Sequence, residues 1–256
     1  MVVATTQFLR ARSKNGGDTI RAKSFSWPAA AAGLQVFLTG LVVAASLLFG
    51  GGTRNGFLGD AVLQLCAIPL LLLSLLGLLR NGLRKSFWPV AFCCGIALIP
   101  VLQLMPLPTA QWAQLPGRNI VAETYAALGQ ELPSLPMSLT PLATGLSALS
   151  LLSPFAIFLG CLLLNYRQRR NIGLLIVGFA VLSVLVGFLQ LAQGPNSPLR
   201  FFAFTNTTEA VGFFANRNHL AALLYAAMLL VVSWAVDAAA TAKRQGKNKT
   251  DRKSVV

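Results

Sequence analysis

Four consecutive polar residues towards the C-terminus combine side chains that could bind an anion and move a proton. The segment is Asn216-Arg217-Asn218-His219, and His219 is the only histidine in the 256-residue sequence. An arginine offers two parallel N–H donors, which match the oxygens of a phosphate or diphosphate. A neighbouring histidine could act as a general base or as a second donor. These residue types indicate phosphate recognition, proton transfer, or both.

A helix must position this segment, because an apolar stretch follows directly. Residues 219–236 contain no Lys or Arg, and a helix of this length nearly crosses about 30 Å of hydrocarbon at about 1.5 Å per residue. Asn216 or Asn218 could cap that helix, whose free N–H groups and positive dipole end attract anions. On the residues alone, a purely interfacial role without a ligand stays open.

The whole chain has the composition of a membrane protein. Hydrophobic residues make up 55% and charged residues 11%, and the mean hydropathy is +0.66. These values lie far from soluble averages and exclude a soluble globule. The sequence therefore predicts an all-α polytopic integral membrane protein with six transmembrane helices. The predicted spans are about 29–49, 61–79, 87–105, 142–164, 172–192 and 219–236.

The charges predict the orientation of these spans. The chain has 21 Lys and Arg against 7 Asp and Glu, a net charge of +14. Seventeen of the basic residues lie in the tails, 1–28 and 237–256, and in the second and fourth connections. The positive-inside rule then places both termini in the cytoplasm. Anionic membrane lipids account for the excess of positive charge, so we expect no nucleic-acid partner.

The predicted organisation is a membrane domain, 29–236, between two basic cytoplasmic tails, 1–28 and 237–256. Two outer loops, 106–141 and 193–218, are much longer than the cytoplasmic connections, and long loops on one face indicate that the function lies there. The near-helical spacing of apolar residues after Arg118 predicts a short interfacial helix in the first of these loops. Thr140 is expected to cap the fourth span, with Pro141 as its first helical residue.

Other kinds of chemistry have no candidates in the sequence. The four cysteines lie within predicted spans and form no Cys-x-x-Cys pair, so we expect neither a metal site nor a disulfide framework. We also find no Gly-rich phosphate loop and no Ser-His-Asp set. No cofactor is expected.

The stretch from Gly212 to Ala221 resembles the Gly-x-Phe-x-Asn-Arg-Asn-His-x-Ala signature of the O-antigen ligase and polymerase-like family of bacterial envelope membrane proteins. Two further stretches resemble the same family in the same order. They are Leu102 to Pro108 with Trp112 and Leu115 to Arg118, and Pro136 to Pro141 with Thr144. The resemblance covers about residues 100–221.

The resemblance implies a metal-independent glycosyltransferase of the bacterial inner membrane. Such proteins transfer a glycan from undecaprenyl diphosphate to a hydroxyl of lipid A-core, of another glycan or of a protein, on the outer face of the membrane. Arg217 would then bind the diphosphate, and His219 or Glu209 would take the proton of the acceptor. The candidate substrate-binding residues are Asn216, Asn218, Arg118, Arg200 and Glu209.

Members of that family are usually longer, with further spans and a second large outer loop after the signature. The resemblance therefore implies that this chain corresponds to an N-terminal portion, and that a second chain supplying the missing helices is an expected partner. A non-catalytic membrane partner or carrier-lipid binder is the alternative. A transporter is less favoured, because the spans carry no acid at mid-depth. Their long polar side chains are Gln35, Gln64, Gln103 and Gln190.

Overall fold

The computed structural model describes residues 29–51, 57–82, 84 and 86–253, and the regular structure in these ranges is almost entirely α-helical. The predicted tail 1–28 lies outside the described residues. The elements in chain order are α1 (Ala29–Phe49), α2 (Phe57–Arg80), α3 (Phe87–Leu104), β1 (Pro106–Leu107), α4 (Thr109–Ala113), α5 (Asn119–Ala127), β2 (Leu135–Pro136), α6 (Pro141–Ser150), α7 (Leu152–Leu163), α8 (Tyr166–Gln193) and α9 (Arg217–Lys253).

Within the described ranges, six helical segments are long and apolar enough to cross a membrane, which confirms the predicted all-α polytopic architecture. They are Ala30–Phe49, Leu58–Arg80, Phe87–Leu104, Pro141–Leu163, Tyr166–Gln193 and Arg217–Lys243. We call the side of the bundle that carries loops 106–141 and 193–218 the predicted outer face.

At three of the predicted spans, the helices differ in extent from the apolar runs that predicted them. The span predicted as one helix over 142–164 consists of α6 and α7, which are separated at Leu151. Pro154, in the first turn of α7, has no N–H to donate to the carbonyl of Ser150, and this favours an interruption there. Pro141 does occupy the first turn of α6 after Thr140, although the Thr140 side chain makes no capping hydrogen bond.

The helices α8 and α9 also extend beyond their apolar parts. Asn165 Oδ1 accepts a hydrogen bond from Gln168 N at 3.0 Å, and Gln168 Oε1 accepts one from Asn165 N at 2.9 Å. This reciprocal cap starts α8 at Tyr166, ahead of the predicted residue 172. With 37 residues, α9 runs to Lys253 instead of ending near residue 236. Apolar patterning locates the hydrocarbon-crossing part of a helix and not its ends.

The helices pack as a row whose centre is a group of three helices, α1, α2 and α7, in mutual contact. The helix α7 packs against α2 and α1, α1 packs against α8, and α8 packs against α9, whereas α3 packs mainly against α6. The centre of the row contains a buried polar contact, in which Gln35 Nε2 donates to Ser74 Oγ at 2.9 Å. This packing order puts α3 and α9 at opposite ends of the row. The loop 106–141 therefore lies with α3 and α6, and the loop 193–218 lies with α8 and α9.

The predicted orientation can be tested by labelling cysteines with a membrane-impermeant maleimide. Gln130 lies in the loop 106–141 and Asn81 lies at the end of α2, and both are exposed. We expect Gln130→Cys to react in intact cells and Asn81→Cys to react only after permeabilisation. The unsubstituted chain is the control, because its four cysteines all lie within helices. The opposite labelling pattern would contradict the orientation.

Candidate functional site

The predicted outer end of α9 is organised by two asparagines. Asn216 directly precedes the helix, and its Oδ1 accepts a hydrogen bond from Asn218 N at 2.8 Å, while its carbonyl accepts one from His219 N at 3.0 Å. Asn206, from the preceding loop, accepts a hydrogen bond from Arg217 N through its Oδ1 at 3.1 Å. Of the two candidates, Asn216 and Asn218, the cap is therefore Asn216, and the helix starts at Arg217 and not at His219.

The guanidinium of Arg217 pairs with the carboxylate of Glu209. Arg217 Nη1 lies 2.5 Å from Glu209 Oε1, and the two side chains are 58% and 36% exposed. An exposed ion pair of this kind contributes only about 0–1 kcal/mol to stability. Stability alone therefore gives little reason for placing these charges together. The pair instead holds an accessible arginine beside the positive end of a long helix, where an anion is favoured.

His219 lies on a different side of α9 from Arg217. Residues two positions apart in an α-helix are separated by about 200° around the axis and do not face each other. The His219 ring contacts Phe214 edge to face, with the ring centroids 6.2 Å apart. The structure thus brings Glu209, and not His219, into direct contact with Arg217. Which of the two takes a proton stays a prediction.

The loop before α9 folds back along α8. A Cβ added at Gly212 would lie 2.8 Å from the carbonyl oxygen of Ser183. Ser183 precedes the last residue of α8, Gln193, by ten residues, so the loop descends about 15 Å along the helix axis. Irregular backbone at this depth is tolerated only where protein groups satisfy its N–H and C=O groups.

One side chain, Gln190, satisfies much of this descending backbone. Gln190 is fully buried, and its Nε2 donates to the carbonyls of Leu199 and Gly212, both at 2.8 Å. Its Oε1 accepts from the N–H groups of Val211 and Gly212, both at 3.0 Å. From the sequence alone, Gln190 is only a polar residue within a predicted span. A lone glutamine one turn before the end of an apolar span is the signal that marks it.

Arg200 fixes the two residues that contact Arg217. Arg200 Nη1 donates to the carbonyl of Asn206 at 2.5 Å and to that of Glu209 at 3.0 Å. Arg200 therefore holds the backbone of the loop from within. It stands behind Arg217 as a positioning residue, and its predicted contact with substrate stays a prediction.

Arg118 lies in the other outer loop and holds that loop together. Its side chain is buried, with 7% exposure, and its guanidinium lies over the ring of Trp112, 4.9 Å from the centroid. It donates through Nη2 to the carbonyl of Met137. Among the described residues Arg118 makes no contact with Arg217, and its loop lies at the other end of the helix row. A second phosphate contact from Arg118 stays a prediction.

Gly212→Ala is expected to disrupt the site. Gly212 has φ +59 and close backbone neighbours, whereas Gly194 has φ +82 and open space around it. At both positions alanine costs about 1–3 kcal/mol of backbone strain, but only at Gly212 does the new methyl group strike the backbone of α8. We expect Gly212→Ala to lower the melting temperature in detergent clearly more than Gly194→Ala does. Equal shifts would show that the loop does not pack against Ser183 as described.

The chemistry that this site offers is that of a guanidinium, a helix N-terminus and a carboxylate. Within the described part of the chain, no group of three or more His, Cys, Asp or Glu side chains is arranged to hold a metal ion. Comparisons with protein-family models, with curated proteins and with solved structures find no match for this chain. The resemblance of residues 212–221 to the ligase signature therefore stays a prediction from sequence, and the geometry around Arg217 carries the functional argument.

Proposed function

We propose that this chain is a membrane glycosyltransferase of the O-antigen ligase type, or the part of one that binds the lipid-linked donor. It acts at the outer face of a bacterial inner membrane, where it transfers a glycan from undecaprenyl diphosphate to a hydroxyl of lipid A-core or of another glycan. The observation that supports this proposal is the exposed Arg217 guanidinium at the start of α9, in contact with Glu209.

The proposed reaction breaks the bond between the sugar C1 and the diphosphate oxygen and forms a bond from C1 to the acceptor oxygen. Negative charge develops on the leaving diphosphate, and the Arg217 guanidinium, at the positive end of the α9 dipole, stabilises it. The acceptor hydroxyl loses its proton to a carboxylate or an imidazole, from Glu209 or His219. A diphosphate that engages Arg217 would release Glu209 from its ion pair, which leaves that carboxylate free to accept the proton.

A non-catalytic carrier-lipid binder is the second candidate. It is supported by the same observation, because an arginine at a helix N-terminus binds a diphosphate whether or not a glycan is then transferred. In that case a second chain would supply the groups that complete the reaction. The transporter alternative gains no support from Gln190, because both atoms of its amide group are occupied by hydrogen bonds within the protein.

Binding of the carrier lipid tests the site in both versions of the proposal. The purified chain in nanodiscs should bind undecaprenyl diphosphate more tightly than undecaprenyl monophosphate, because the fork of Arg217 can engage oxygens of both phosphates. Arg217→Ala should weaken diphosphate binding at least about tenfold. Arg167→Ala, at the other end of α8, is the matched control and should leave affinity unchanged. The proposal would be contradicted if the chain bound both lipids equally tightly and if Arg217→Ala bound the diphosphate as tightly as Arg167→Ala does.

A further inference from the structure

A groove with a volume of about 380 Å³ lies between α3 and α6. One wall is apolar and includes Ile96 and Ile99, whereas the other carries hydroxyl groups of α6. The groove lies in the half of the bundle next to the predicted outer face, because α3 ends there and α6 begins there. Its volume falls within the range of about 300–1,000 Å³ typical of small-molecule sites and is far larger than a water site.

The mouth of the groove is fixed to both of its walls. Ser138 N donates to the carbonyl of Gln103 at 2.8 Å, which attaches the rim to α3. Ser138 Oγ lies 2.7 Å from Thr144 Oγ1, which attaches the rim to α6. Arg118 holds the carbonyl of Met137 from behind. These hydrogen bonds fix the position of the segment at the mouth of the groove relative to both α3 and α6.

The polar lining of the groove has unused hydrogen-bonding capacity. Thr140, Thr144 and Ser147 follow one another at helical spacing along one side of α6, and Gln103 lies on the last turn of α3. The side chains of Gln103, Thr140 and Ser147 make no hydrogen bond within the described part of the chain. All three residues are exposed, so each side chain can take a hydrogen-bonding partner from water or from a lipid. A ligand that offers hydrogen-bonding groups at the mouth and a hydrocarbon chain below would satisfy this lining.

We propose that the groove binds one acyl chain of an outer-leaflet glycerolipid. The ester and glycerol oxygens lie against Gln103, Thr140 and Thr144, and the chain lies along Ile96 and Ile99. This site is separate from the one at Arg217, because the two lie at opposite ends of the helix row. The proposal therefore does not depend on glycan transfer.

Photo-crosslinking in proteoliposomes tests this assignment. The probe is a phosphatidylglycerol with a diazirine in its acyl chain, and crosslinked peptides are located by mass spectrometry. Ser147→Trp fills the groove, whereas Leu149→Trp, on the same helix, adds the same ring at an exposed residue that does not line it. We expect crosslinks to α3 and α6 to fall at least fivefold in Ser147→Trp and to be unchanged in Leu149→Trp. Ala143→Phe, which also fills the groove, should reproduce the loss.

Two results would overturn the proposal. One is equal crosslinking in both tryptophan variants, which would mean that lipid contacts this region without occupying the groove. The other is displacement of the probe by undecaprenyl phosphate at a concentration at which unlabelled phosphatidylglycerol has no effect, which would assign the groove to an isoprenoid chain. The two tryptophan variants are first checked for a single symmetric peak on size-exclusion chromatography. If Ser147→Trp fails to fold, Ala143→Phe replaces it.

Discussion

Arg217→Lys is expected to reduce glycan transfer nearly as much as Arg217→Ala does, by roughly 10²–10³-fold, as for the loss of one donor to a developing oxyanion. Lysine keeps the charge but loses the planar fork that engages two oxygens at once. Arg217 also depends on its position, since its backbone N–H is held by Asn206 and its guanidinium by Glu209. A shorter reach or a point charge at this position does not reproduce that arrangement.

The effect should appear in turnover and not in stability. The pair between Arg217 and Glu209 is exposed, so both variants should melt within a few degrees of the wild type. Glu209→Gln provides a third point, because it keeps the size of the side chain and removes the charge that accepts a proton. Wild-type turnover by Arg217→Lys would contradict the proposed role of the guanidinium fork.

Gln190→Leu, in α8, is expected to cost more stability than any single substitution in the outer loops. It leaves the buried N–H groups of Val211 and Gly212, the buried carbonyl of Gly212 and the partly buried carbonyl of Leu199 without their partner. Each buried polar group left unsatisfied costs about 1–3 kcal/mol. The descending part of the loop should then open, and Arg217 should lose its fixed position. Hydrogen exchange of residues 205–216 measures this opening directly.

Gln64→Leu is the matched control for that experiment. Gln64 also lies within a span and is only partly buried, and its side chain makes no hydrogen bond within the described residues. Replacing it with leucine should leave hydrogen exchange unchanged and should not lower the melting temperature, since it removes an unpaired amide from an apolar setting. If Gln190→Leu behaved like Gln64→Leu, the loop would be held by other contacts and the account of Gln190 would be wrong.

The membrane architecture could be predicted because it follows from apolar length alone. Six apolar runs without basic residues correspond to six candidate spans. The helix ends could not be predicted in this way, because they depend on local hydrogen bonds. The reciprocal cap between Asn165 and Gln168 starts α8 among charged residues, and α9 continues past the apolar run to Lys253.

The candidate site was predictable only in its local part. Asn216 as a cap and Arg217 beside the start of a helix follow from neighbouring residues. The partners of Arg217 come from farther away, since Asn206 and Glu209 lie in a loop whose path is set by Gln190. No periodic pattern in the sequence encodes that path. The helical geometry also separates His219 from Arg217, although the two lie close together in the sequence.

In the loop 106–141, too, the local structure could be predicted but the contacts between distant segments could not. The predicted interfacial helix corresponds to α5, Asn119–Ala127. The pairing of Pro106 with Pro136 in a two-stranded ribbon was not predicted, because prolines mark breaks in a pattern and do not indicate which distant segments meet. The contact of Arg118 with Met137 depends on that pairing.

Transfer of a labelled glycan from undecaprenyl diphosphate by this chain alone, reconstituted in membranes, tests the central claim most directly. The proposal predicts a labelled acceptor product with the wild type and with Arg167→Ala, and loss of that product with Arg217→Ala. If Arg217→Ala formed product at the wild-type rate, catalysis at Arg217 would be contradicted. If the folded wild-type chain bound the donor but formed no product, catalysis by this chain alone would be contradicted, and the chain would be assigned to carrier-lipid binding.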